Sequence, residues 1–170
     1  MIEAVLDAGP LIHLTELNAL DTLRSFGTLL VPDAVWLEVE HHQPSALRHS
    51  EIPTQRVSAP LPSQALLVVG RALALDRGEI EALSLMDLHP NAVLLTDDSA
   101  ARLAAEHRAF RAHGTIGILI RSVREGIRSQ RDVIDILRHM PERSTLYIRP
   151  SLLAEIIVGL DNEWNLASKK

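Results

Sequence analysis

Asp97 and Asp98 stand side by side at the end of the apolar run 92–96, and Asp7 ends a shorter apolar run at 2–7. Two further acids lie inside helical patterns that are otherwise apolar. Glu38 falls in PDAVWLEVE between Ala34 and Val35, beside Val39, and Glu79 falls in LDRGEIEAL among Leu83, Met86 and Ala82. Glu81 points about 200° away from Glu79, next to Ser84 and toward water. Each acid has a plain structural use as well. Asp7 can cap the helix after it, as can Asp97, Asp98 or Ser99; Glu38 can reach water from the stripe's edge; and Asp76-Arg77-Gly78-Glu79 has the form of a capping box. Taken together, inward-facing acids from two strand ends and two helices would crowd one crevice. Two like charges at 4 Å repel by about 1 kcal/mol in water and about 4 kcal/mol at an effective dielectric of 20. Several such pairs would cancel much of a stability of roughly 5–15 kcal/mol, so a converging cluster needs a counter-ion.

The chain has no cysteine, no histidine beside these acids in the sequence and no His-Glu-x-x-His spacing. An all-oxygen ligand set favours the hard cations Mg²⁺ or Mn²⁺ over zinc. A cation held by few protein groups keeps positions for water and phosphate oxygens, which suits phosphodiester chemistry. A Gly-rich phosphate cradle is missing, which argues against nucleoside triphosphate chemistry. Charge placement points to a polyanion instead. Net charge is −5, yet residues 101–150 hold ten arginines against five acids, and both lysines are the last two residues. Arg102, Arg108, Arg111, Arg121, Arg124 and Arg128 could contact a phosphate backbone bidentately, although Arg102 lies four residues after Asp98 and could simply pair with it.

These residues must be carried by alternating elements. Strands are expected at 2–7, 28–31 and 92–96, and helices at 10–25, from 33, at 63–75, 78–88, 99–111, 116–125, 132–139 and 151–159. The run 92–96 has no polar alternation, as in a strand covered on both faces. Strands separated by helices imply an α/β class, a three-layer α/β/α domain with a central parallel sheet, whose strand carboxyl ends form the ligand crevice. Segment 41–63 contains four prolines and reads as a loop with a short helix.

At 170 residues the chain is expected to be one domain, 1–170, with 127–170 a C-terminal helical extension of it. Hydrophobic residues make up 46% and aromatics 3%, so the core must be aliphatic. No apolar run approaches the roughly 20 residues of a membrane span and no basic leader precedes the first strand, so no membrane contact and a cytoplasmic location are expected.

VLDAGPLIHL, VPDAVWLEV, LDRGEIEAL, VLLTDDSAAR and HGTIGILIRSVREG, in this order, resemble a PIN-domain ribonuclease, and within it the VapC-like toxin branch with a Gly-Glu-x-Glu helix. The resemblance covers about residues 1–126. It implies a compact PIN-like α/β/α fold, a Mg²⁺ or Mn²⁺ site of about four carboxylates, and cleavage of single-stranded RNA. Matched residue by residue, the family's acids fall on Asp7, Glu38, Glu79, and Asp97 or Asp98. At the third position many members have Asp followed by Ala, which would select Glu81-Ala82, whereas the helical wheel selects Glu79. The resemblance also implies a cognate antitoxin and a homodimer. A haloacid-dehalogenase-like phosphatase would need Asp-x-Asp where Asp7-Ala8-Gly9 stands, and a response-regulator receiver would need a lysine that the chain lacks before Lys169. The remaining rival is a non-catalytic RNA- or partner-binding module on the same fold.

Overall fold

Alternate residues of each central strand enter different cores, and this sorts the molecule into layers. In the computed structural model, which describes residues 2–167, Ala4, Leu6, Leu29, Val31, Val93 and Leu95 belong to one buried cluster, and Val5, Leu30 and Leu94 to a second. The strands are β1 (Ala4–Leu6), β2 (Leu29–Pro32), β3 (Thr54–Val57), β4 (Val93–Leu95) and β5 (Arg111–His113). They form one all-parallel sheet in the order β3-β2-β1-β4-β5. The three central strands are buried on both faces, as their unbroken apolar runs require.

On the first face lie α1 (Ala8–Glu16), α2 (Asp33–His42), α6 (Thr115–Arg124), α7 (Gln130–Arg143) and α8 (Pro150–Ala167). The second face carries α3 (Gln64–Leu73), α4 (Arg77–Leu88) and α5 (Ser99–His107). The result is a three-layer α/β/α domain with a central parallel sheet, as expected. The strand order reverses between β1 and β4, with connections stepping outward from β1 to β2 on one side and from β4 to β5 on the other, so a crevice opens at their carboxyl ends. Asp7 N–H donates to Leu95 O at 2.9 Å and Thr96 N–H to His113 O at 2.9 Å, which pins those ends together.

Several expectations are corrected. The helix expected at 10–25 stops at Glu16, because Asn18 turns left-handed at φ 52°, and a 3-10 turn follows at Leu20–Ser25. The segment 41–63 contains β3, an edge strand whose middle residues, Gln55 and Arg56, are exposed; with so little of it buried, its sequence shows no apolar pattern. The helix expected at 99–111 ends at His107, Ala109 turns left-handed at φ 59°, and Arg111 opens β5. Alanine is an unusual left-handed residue, so no glycine signalled that end. Helix α7 runs past His139 to Arg143 through Pro141 in its last turns. Among the described residues no helix is long and apolar enough to cross a membrane.

Candidate active site

Asp7, Glu38, Glu79, Asp97 and Asp98 line one open cavity of about 310 Å³ at the carboxyl ends of β1 and β4, with Asp76 as a sixth acid. Each is positioned by a local rule. Asp7 follows β1 and caps α1, its Oδ1 accepting the Ala8 N–H at 2.8 Å, while its Oδ2 accepts from Thr96 Oγ1 at 2.7 Å. Asp98 caps α5, its Oδ1 accepting the Ala100 and Ala101 N–H groups at 2.8 Å each. Asp76 and Glu79 form a reciprocal capping box at the start of α4. The capping role and the inward position therefore coexist in the same side chains.

Glu38 projects from α2 and makes no hydrogen bond among the described residues. It approaches α4 over Gly78, where an added Cβ would lie 3.2 Å from Val35 and 3.7 Å from Glu38 Oε2. Glu81 does not line the cavity. It does not face water either, as the wheel suggested: α2 packs across this side of α4, so Glu81 Oε2 accepts the Ala34 N–H at 2.8 Å and Oε1 accepts from Arg77 at 2.8 Å. Ser84 beside it is buried.

The two aspartates after β4 differ. Asp97 Oδ2 accepts from His13 Nδ1 at 2.8 Å and from Thr115 Oγ1 at 2.6 Å, and Oδ1 accepts the Thr115 N–H at 2.7 Å. Gly114 permits this, since a Cβ there would stand 2.6 Å from Asp97 Oδ1 and 2.7 Å from an Arg102 guanidinium nitrogen. Asp98 is exposed, and its Oδ2 is uncommitted among the described residues.

Acidity follows these surroundings. Burial pushes Asp7 up to about 6, helped by the charges of Asp76 and Glu38 and opposed by the hydrogen bonds from Thr96 and Ala8. Burial also pushes Glu79 up to about 7, opposed by the Asp76 N–H and reinforced by Asp76, Asp98 and Asp7. Glu38 is raised by burial and by Asp76. Asp97 goes the other way: burial raises it, but the hydrogen bonds from His13 and Thr115 outweigh that and hold it below its usual value. This is a site of strong negative potential in which two acids resist ionising.

The donor chemistry fits a hard divalent cation. After the structural hydrogen bonds are counted, Glu38 keeps both oxygens and Glu79, Asp76 and Asp98 keep one each, while the singly bonded oxygens of Asp7, Asp76 and Glu79 each retain a lone pair. The side chains are not preassembled. Among the described residues no three His, Asp or Glu groups stand in an arrangement that could hold a metal ion as they are, so rotation of the less committed acids is needed.

Sequence reasoning missed four contributors. Asp76 reads in the sequence only as a cap. No histidine was expected beside the acids, yet His13 sits on Asp97; its signal was the i, i+4 spacing from Gly9, which also faces Asp97. Thr115 was not singled out within HGTIG. The loop Thr145–Tyr147 covers one side of the cavity, and nothing local in the sequence marks that approach. The arginine expectation is narrowed: Arg108 pairs with Asp87, Arg128 with Asp21 and Arg121 with Glu125. Arg102 does not pair with Asp98; it donates to Thr96 O at 3.2 Å.

A family model described as a PIN domain matches residues 3–162 of the chain. No curated protein matches the chain.

Proposed function

Because the chain belongs to the PIN-domain family, whose members are usually nucleases that use divalent metal ions, we propose that it is a Mg²⁺- or Mn²⁺-dependent endoribonuclease that cleaves single-stranded RNA. The observation that carries this reading is the gathering of Asp7, Glu38, Glu79, Asp97 and Asp98 from four separate segments into one cavity at the sheet's switch point. In it, Asp7, Glu38, Glu79 and Asp98 are the metal ligands, with Asp97 and Asp76 beside them. When bound, the cation supplies polarisation of the phosphoryl group and a more acidic water. The chain's own residues supply position. Thr96 and Ala8 hold the Asp7 carboxylate in one orientation, and His13 and Thr115 keep Asp97 ionised. Asp98 keeps an oxygen facing the open side. Arg102, without a carboxylate partner among the described residues, stands by to meet the RNA backbone.

The same reading treats the chain as one domain with 127–170 as its helical extension. Val133, Leu137, Met140, Leu153 and Leu160 join the core cluster beneath β1, which supports it; residues 168–170 lie outside the described residues. The VapC-like resemblance extends the proposal to a cytoplasmic toxin with a cognate antitoxin and a homodimeric state. A second reading, a non-catalytic RNA- or partner-binding module, is favoured by the commitment of several acids to helix caps.

Cleavage of a labelled single-stranded RNA separates the two. The enzyme reading expects cleavage in Mn²⁺ or Mg²⁺, none in EDTA, and loss in Asp7→Asn and Asp98→Asn proteins that remain folded. Equal behaviour of wild type and both variants selects the binding module.

A further inference from the structure

We propose that the groove adjoining the acid cavity, between α6, α8 and the loop 144–149, is a nucleotide subsite for single-stranded nucleic acid, with Tyr147 stacking on a base and Arg102 meeting the neighbouring phosphate. It deepens the nuclease reading and rests on it for the position of the cut. The groove encloses about 470 Å³, within the range of small-ligand sites, and shares Asp97, Leu146 and Tyr147 with the acid cavity, so a strand leaving one enters the other.

Three features match this occupant. The first is a held aromatic ring. Tyr147 is the chain's single tyrosine, 81% exposed and without a hydrogen bond among the described residues. Its loop is nonetheless anchored: Glu16 accepts from Ser144 Oγ at 2.8 Å, from the Thr145 N–H at 2.8 Å and from Thr145 Oγ1 at 2.9 Å. A ring held by its backbone and bare on its faces is what base stacking needs. The second feature is an apolar wall, formed by Ile116, Ile120 and Ile156.

The third is positive charge where the groove meets the acids. The Nε of Arg102 is buried and has no hydrogen-bond partner. Burial, and after it the fields of Arg111, Arg121, Arg102 and Arg124, hold the His113 imidazole below its usual value, and those four arginines put positive charge on this flank. Phosphate complements that flank, and the apolar wall complements a base. A duplex hides its base faces in the stack, so the occupant is a single strand.

The test measures binding without cleavage. Anisotropy of a labelled mixed-sequence oligoribonucleotide is followed in EDTA on the full chain carrying Asp7→Asn, which removes one repelling charge. Against that background, Tyr147→Ala is expected to weaken binding about 5- to 150-fold, the equivalent of stacking one base. Tyr147→Phe keeps the affinity, Arg102→Gln weakens it and reduces its salt dependence, and a duplex of the same length binds less tightly. Thermal melts exclude unfolding, and Tyr147→Phe serves as control for the loop. Unchanged affinity in Tyr147→Ala overturns the subsite, as does equal loss in Tyr147→Phe. Absence of oligonucleotide binding also overturns it and leaves the groove to a polypeptide. Cleavage by wild type in Mn²⁺ is scored separately: cleavage with no Tyr147 effect sinks only the subsite, and a Tyr147 effect with no cleavage sinks only the nuclease reading.

Discussion

Thr96 Oγ1 donates to Asp7 Oδ2 at 2.7 Å and accepts the Asp98 N–H at 3.1 Å, so one buried hydroxyl ties the carboxyl end of β1 to the start of α5. Thr96→Val keeps the shape and removes both bonds. A buried carboxylate then loses a donor, at a cost of about 1–3 kcal/mol, and Asp7 becomes still harder to ionise. Denaturant melts should show the loss, and Thr96→Ser should recover most of it. A Thr96→Val protein as stable as wild type would show that the hydroxyl does not support Asp7.

The raised acids make a signed prediction for pH. Asp7 and Glu79 bind protons more tightly in the folded chain than in the unfolded one, so their contribution to stability falls as pH rises from about 4 to 7. For Asp7, the rise from 3.8 to about 6 corresponds to about 3 kcal/mol by pH 7. His113 works in the opposite direction, because a depressed histidine adds stability as pH rises from its folded value to its unfolded one. The difference between wild type and Asp7→Asn cancels that term. Without metal, Asp7→Asn should melt higher than wild type at pH 8 and by a smaller margin at pH 5. An equal margin at both values would contradict the desolvated Asp7.

A cation that binds only the folded chain should reverse this penalty. Melting temperature is expected to climb with Mn²⁺, by RT ln(1 + [L]/Kd), and to climb further at pH 8 than at pH 5, where protons compete for the same oxygens. Ca²⁺-free and EDTA-treated samples give the baseline. A flat titration at pH 8 would remove the metal from the proposal.

Glu79 and Glu81 can be told apart by their different surroundings. Glu79→Gln keeps an oxygen for the Asp76 N–H but lowers the charge in the cavity, so it should abolish RNA cleavage while raising stability without metal. Glu81→Ala deprives the Ala34 N–H in the first turn of α2 of its acceptor. It should cost about 0.5–1.5 kcal/mol and leave cleavage in place. The reverse pattern in melts and cleavage assays would move the third acid to Glu81.

Much of this was legible in the sequence, for physical reasons that differ by element. The apolar runs at 2–7, 28–31 and 92–96 stand out because β1, β2 and β4 are buried on both faces, and alternation with helices made the layered parallel sheet readable. Asp7, Glu38, Glu79, Asp97 and Asp98 stood out because a charge inside an apolar pattern violates local expectation. The edge strands β3 and β5 did not, since TQRV and RAH bury little and carry no pattern.

The sequence by itself determined that Asp7, Glu38, Glu79, Asp97 and Asp98 are candidates for one site, because a charge within an apolar strand or helix pattern is a local signal, while Asp76 read only as a cap. Only the tertiary structure decided how those carboxylates differ: Asp97 is kept ionised by His13, from a helix 84 positions earlier, while Asp7 is driven toward protonation by burial. Desolvation and hydrogen bonding depend on neighbours brought together by packing, and so does the approach of Tyr147 to acids about fifty or more residues before it.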